Sequence, residues 1–211
     1  MNCFIGKLEK FKLVPVVKLD EAKDALPLGQ ALMKGGLPIA EITFRTSAAE
    51  ESIRILNKKL PEILVGAGTV INIEQAKKAI DAGAKFLVSP GLSEQVITYA
   101  RNQGVPVLPG CCTPSEIMKA IEFDISVIKF FPANLMGGIS GIKSLAPVFP
   151  TVRFIPTGGV NSENLLEFLS YKPIIACGGS WMVKDTLIRE GDFEKITVMT
   201  QEAVQLIQNA K

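Results

Sequence analysis

Short apolar runs alternate with longer amphipathic segments from one end of the chain to the other, the pattern of strands separated by helices. Eight runs read as strands: Leu13 to Val17, Ala40 to Phe44, Ile63 to Gly66, Phe86 to Ser89, Val105 to Leu108, Ser126 to Phe131, Val152 to Pro156 and Ile174 to Cys177. Each is followed by a helix signal. Ser47 with Glu50, Asn72 with Gln75, and Thr113 with Pro114 and Glu116 have the form of N-terminal caps, the last with proline at the favoured first helical position. Gly35, Gly83 and Gly104 are placed to close helices at their C-termini. Eight βα units in 211 residues predict a (β/α)8 TIM barrel of the α/β class, although strand counting alone leaves a doubly wound open sheet in play. An extra N-terminal helix, Cys3 to Phe11, is expected to cover the barrel floor. No linker or low-complexity stretch interrupts the alternation, so residues 1–211 are expected to form one barrel domain.

Composition narrows the function more by exclusion than by indication. The chain is 47% hydrophobic with a formal net charge of +2, from 23 basic and 21 acidic residues spread along its length. No basic block marks a nucleic-acid surface, and nothing approaches the run of about 18 apolar residues that spans a membrane. Lys7, Glu9, Lys10 and Lys12 break up any apolar signal segment. A soluble, cytoplasmic protein is expected. Cys3, Cys111, Cys112 and Cys177 lack metal-binding spacing and read as reduced thiols. Histidine is absent, which removes the commonest general base and the commonest transition-metal ligand together.

The chemistry gathers at the predicted strand ends. Lys129 lies inside the apolar run Val127-Ile128-Lys129-Phe130-Phe131-Pro132. An ammonium in an apolar interior must find an anion or give up its proton, and a neutral amine is a nucleophile that forms imines with carbonyl compounds. Two-residue alternation puts Glu41, Thr43 and Arg45 of the second strand on one face, and Val127, Lys129 and Phe131 of the sixth on another. Lysine, glutamate and arginine are thus expected to share the barrel lumen, either as a site or as a buried ion pair retained for specificity. After the third strand, Gly66-Ala67-Gly68-Thr69 lets a ligand approach the backbone beside a hydroxyl. The seventh and eighth strands end in Thr157-Gly158-Gly159 and Gly178-Gly179-Ser180. Paired glycines at those two places in a barrel expose backbone N–H groups suited to a phosphate.

Six segments, taken together, resemble the bacterial 2-keto-3-deoxy-6-phosphogluconate and 4-hydroxy-2-oxoglutarate aldolases. They are Glu41 to Thr46, Gly66 to Val70, Ser89-Pro90-Gly91, Lys129 to Ala133, Pro156 to Gly159 and Gly178 to Trp181. The resemblance implies a homotrimer of (β/α)8 barrels acting on keto acids and phosphorylated aldehydes, with neither metal nor organic cofactor. It implies that Lys129 forms the Schiff base, that Glu41 is general acid and base, and that Arg45 binds the pyruvate carboxylate with help from Thr69. Thr157 lines the substrate beside the imine, and Gly158, Gly159, Gly179 and Ser180 hold the phosphate, with Pro90 and Gly178 completing the substrate-binding set. Asn134 stands where many members have glutamate, and Cys111-Cys112 replaces a small apolar pair. A phosphate-binding isomerase barrel and a non-catalytic binder are the competing readings. The substrate preference and the C4 stereochemistry stay open at this level.

Overall fold

The computed structural model describes residues 2–210. Eight strands run in order: β1 (Leu13–Val17), β2 (Ile39–Thr43), β3 (Leu64–Gly68), β4 (Leu87–Val88), β5 (Val107–Leu108), β6 (Val127–Phe130), β7 (Arg153–Pro156) and β8 (Cys177–Gly179). Every strand pairing is parallel. Six strands form one ladder in the order β5-β4-β3-β2-β1-β8, and β6 pairs with β7. Isolated parallel bridges close the two remaining seams, Gly110 with Lys129 between β5 and β6, and Phe154 with Ile174 and Thr157 with Gly178 between β7 and β8. The ring is complete. The open sheet is thereby excluded, and the strands' near-continuous burial fits a parallel sheet covered by helices.

Around it lie α1 (Asn2–Phe11), α2 (Ala25–Lys34), α3 (Ala49–Lys59), α4 (Ile73–Asp81), α5 (Glu94–Asn102), α6 (Pro114–Glu122), α7 (Gly138–Leu145), α8 (Leu165–Leu169), α9 (Asp185–Glu190) and α10 (Phe193–Asn209). The extra N-terminal helix packs where expected. Leu8 of α1 is fully buried, and the Phe4 ring lies 5.0 Å from that of Phe86, just before β4. No helix among the described residues is long and apolar enough to cross a membrane.

Several local expectations need correction. Strands β4 and β5 are two residues each, shorter than their apolar runs, although the Phe86 carbonyl still accepts from the Ala67 N–H and the Ser89 N–H still donates to the Leu108 carbonyl. Ser47 caps nothing. Helix α3 starts from Ala48, already in helical conformation and without a side-chain cap, and the Thr46 hydroxyl just before it donates to the Leu19 carbonyl. At the end of α2, Gly35 is the cap residue with ordinary φ, and it is Gly36, at φ 84°, that makes the left-handed turn. Gly83 and Gly104 do adopt positive φ behind α4 and α5. Asn72 caps α4 by accepting from the Gln75 N–H. Ser93 and Asp192 cap α5 and α10 in the same way, without having been expected to.

The box at Thr113 forms in full. Glu116 accepts from the Cys112 N–H, the Thr113 N–H and the Thr113 hydroxyl, each at 2.9 Å. Burial pushes the Glu116 carboxyl up, but these hydrogen bonds outweigh it and hold the group below the ordinary carboxylate range. A carboxylate depressed in the folded state contributes stability above its unfolded pKa and loses it as pH falls through the folded value. Glu116→Gln is therefore expected to cost about 1 kcal/mol near neutral pH, the scale of a lost cap. The cost should shrink toward about pH 3, below the unfolded carboxyl pKa. Thermal unfolding at both pH values checks this, and an equal loss at each would show that the charge contributes nothing.

Candidate active site

Lys129 and Glu41 meet inside the barrel. Alternation along β2 turns Glu41 into the lumen, and alternation along β6 does the same for Lys129, whose Nζ donates to Glu41 Oε1 at 3.4 Å. The side chains are 8% and 4% exposed. That distance is long for a charge-assisted hydrogen bond, which settles at about 2.7 to 2.9 Å. Each partner therefore keeps bonding capacity toward the adjoining cavity of about 300 Å³. The backbone of Lys129 is held on both sides, its N–H donating to the Pro109 carbonyl and its carbonyl accepting from the Cys111 N–H, both at 2.9 Å. The lysine is thus part of the seam that joins β5 to β6.

Neighbouring residues make room for the carboxylate and orient the rim. A β-carbon at Gly68 would collide with the Glu41 carboxylate, and one at Gly66 with the Phe86 ring. Thr69 follows at φ 58°, a left-handed conformation that a β-branched residue adopts only where its surroundings enforce it. Thr43 donates to the Val17 carbonyl at 2.8 Å and accepts from Arg45 Nε at 3.1 Å. Arg45 is thereby anchored through one nitrogen. Among the described residues no carboxylate pairs with its guanidinium, and Arg45 lines the cavity. Arg45 is exposed at the rim rather than inside the core, which corrects the expectation of three charges within the lumen. Strand β2 ends at Thr43, so two further residues carry the guanidinium out onto the loop.

The opposite wall is made of glycine. Gly158 and Gly159 have φ of 95° and 85°, which side chains rarely tolerate. A β-carbon at Gly178 would strike the buried Thr157 hydroxyl, its partner across the β7–β8 seam. Glu41, Arg45, Thr69, Pro90, Lys129, Thr157, Gly158, Gly159, Gly178, Gly179 and Ser180 all line the one cavity. Every residue given a catalytic or substrate-binding role lines it, whereas Gly66 and Gly68, expected to let a ligand approach, instead make room for Phe86 and Glu41. Val16 and Phe131 also line the cavity, and strand alternation marked Phe131 as facing inward without giving it a role. Thr43 acts as a tether for Arg45, which its place between Glu41 and Arg45 on one face could have signalled.

The sequence matches the family model for KDPG and KHG aldolase over residues 4–199. The chain belongs to that family. This aldolase, an aldehyde-lyase, is 44% identical to the 2-dehydro-3-deoxy-phosphogluconate aldolase of Treponema pallidum over 200 residues, 95% of each chain. It is 39% identical to the KHG/KDPG aldolase of Escherichia coli over 193 residues, 92% of this chain and 91% of the relative. Among solved structures, it is similar to the KDPG aldolase of Legionella pneumophila with pyruvate captured at low pH as a covalent carbinolamine intermediate. There the TM-score is 0.91 at 36% identity, covering 94% of this aldolase and 97% of the other. The Zymomonas mobilis ZM4 enzyme with 3-phosphoglycerate matches at TM-score 0.88 and 37% identity, covering 95% and 94%.

Two of the four cysteines are buried. Burial, with the nearby Glu116 and Cys112, pushes the Cys111 thiol up to about 12, and burial raises Cys177 as well. Both are kept as thiols at neutral pH and are poor nucleophiles. Among the described residues, no three acidic, cysteine or histidine side chains are grouped to hold a metal ion.

Proposed function

We propose that this aldolase works through an imine on Lys129, reversibly cleaving 2-keto-3-deoxy-6-phosphogluconate to pyruvate and glyceraldehyde 3-phosphate. Cleavage of 4-hydroxy-2-oxoglutarate to pyruvate and glyoxylate is proposed as a second activity of the same site. The observation that carries this reading is a buried amine 3.4 Å from a buried carboxylate at the wall of an open cavity. Lys129 attacks the C2 ketone. Glu41 moves protons as the carbinolamine loses water and then takes the C4 hydroxyl proton, so that the C3–C4 bond breaks toward the iminium as electron sink. The aldehyde leaves, and the enamine is protonated at C3 and hydrolysed to pyruvate. A phosphate-binding barrel of isomerase type would use the glycine wall but has no need of Lys129 beside Glu41.

In this reading Arg45, steadied by Thr43, receives the pyruvate carboxylate together with Thr69. Backbone N–H groups around Gly158, Gly159 and Gly179, with the Ser180 hydroxyl, receive the phosphate, while Thr157, Gly178 and Pro90 line the path between them. The working unit is the one barrel of residues 1–211, in the cytoplasm, as a homotrimer. Exposed Met118 and Ile121 on α6 and Leu135 beyond β6 are apolar surface available to such an assembly. Intact-mass measurement after incubation with pyruvate and borohydride tests the imine, since only an imine leaves a reduced adduct. Arg45→Ala is expected to raise the KM for pyruvate in the condensation direction by on the order of tenfold to a hundredfold, the scale of a hydrogen bond to a charged group. Affinity for a phosphorylated aldehyde should hold, and equal losses of both would place the arginine elsewhere.

A further inference from the structure

The lysine amine has a second neighbour besides Glu41. Nζ of Lys129 sits over the face of the Phe131 ring, 5.1 Å from its centroid, inside the distance at which an aromatic face attracts a cation. Both residues belong to the run that enters the lumen from β6, and both line the cavity. A β-carbon at Gly158 would stand 3.4 Å from the Phe131 ring edge, so the glycine wall lies against this ring. Phe130, one residue away, points the other way and packs edge-on against Phe154 at 6.5 Å in the core.

We infer that the Phe131 ring face stabilises the positive charge of the iminium on Lys129, an inference that rests on the imine reading above. The step concerned is the loss of water from the carbinolamine. Attack by the amine forms the N–C2 bond, the nitrogen gives up one proton, and the ketone oxygen takes one up to become the carbinolamine hydroxyl. Protonation of that hydroxyl releases water, and the nitrogen lone pair forms the C=N bond. One proton is consumed, one water departs, and nitrogen passes from neutral to cationic with no oxidant or reductant involved. Glu41 serves the proton movements of this step. The quadrupole of Phe131, negative on its face, answers the charge that remains, and it does so with an apolar group that adds no base able to activate water against the imine. The same ring attracts an ammonium, so its signature lies in the partition between carbinolamine and iminium rather than in total binding.

The test replaces Phe131 with phenylalanines carrying one, two and three ring fluorines, which drain the face of negative charge with little change in size. Pyruvate labelled with carbon-13 at C2 is added to each full-length enzyme, and NMR reads the ratio of iminium to carbinolamine. The ratio is expected to fall stepwise, by about tenfold across the series, the scale of a desolvated cation–aromatic contact. Phe131→Leu should fall at least as far, and Phe131→Tyr should keep most of the ratio. The same fluorinated series at Phe130 should leave it unchanged. A ratio independent of fluorination at Phe131, or an equal response at Phe130, overturns the inference while leaving the imine reading standing. A wild-type enzyme that forms no adduct at Lys129 overturns both.

Discussion

Lys129→Ala is expected to abolish the pyruvate adduct trapped by borohydride and to lower the cleavage rate by on the order of 10⁴-fold or more, as removal of a covalent nucleophile does elsewhere. The fold should survive the change. The two backbone hydrogen bonds that stitch Lys129 into the β5–β6 seam, to the Pro109 carbonyl and from the Cys111 N–H, do not depend on its side chain. Removing the amine leaves the Glu41 carboxylate, in a largely buried setting, without its one ion-pair partner among the described residues, which is costly when a pair is broken on one side. The open cavity beside it limits that cost by admitting water to the carboxylate. A circular dichroism spectrum and a cooperative thermal transition separate loss of chemistry from loss of fold. Continued labelling at another lysine would overturn the assignment. Lys143 is a useful control, because its amine lies on α7 over the Tyr171 ring at 5.8 Å, away from the cavity lining.

Glu41→Gln should lower kcat by about 10² to 10⁴-fold, the range attributed to a general acid and base. The substitution keeps the shape that Gly68 makes room for and removes the capacity to exchange a proton. Substrate affinity is expected to change far less, because recognition rests on Arg45 and on the glycine wall rather than on this carboxylate. Imine formation should slow as well, since carbinolamine dehydration uses the same proton shuttle. Single-turnover trapping with pyruvate reads that step apart from C–C cleavage. A change of only a few-fold in both rates would leave Glu41 as a structural partner of the lysine and move the proton transfers to water or another group.

The residues at the site were legible for a local reason. A strand alternates faces every two residues whatever it packs against, so Glu41 and Thr43 had to share one side of β2 and Val127 and Lys129 one side of β6, with Arg45 and Phe131 just past the strand ends. The caps at Asn72 and Thr113 were legible for the same reason, being hydrogen bonds completed within four residues. Where local rules misled, a distant contact intervened. The segment before α3 is tied by Thr46 to the distant Leu19 carbonyl and the cap position falls on Ala48, one residue past Ser47, and the ends of β4 and β5 were trimmed by which neighbours remained in pairing register.

Sequence alone, through periodicity and turn chemistry, thus determined eight βα units, the faces of their strands and the glycine ends of β7 and β8. Tertiary structure alone decided that the ring closes at Lys129 and between Thr157 and Gly178. It also decided that Lys129 and Glu41, 88 positions apart in the chain, stand 3.4 Å from one another, that Arg45 stops at the rim, and that Phe131 lies beneath the amine. Distances across a barrel follow from strand register and tilt summed around the whole ring, and no short stretch of chain contains that sum.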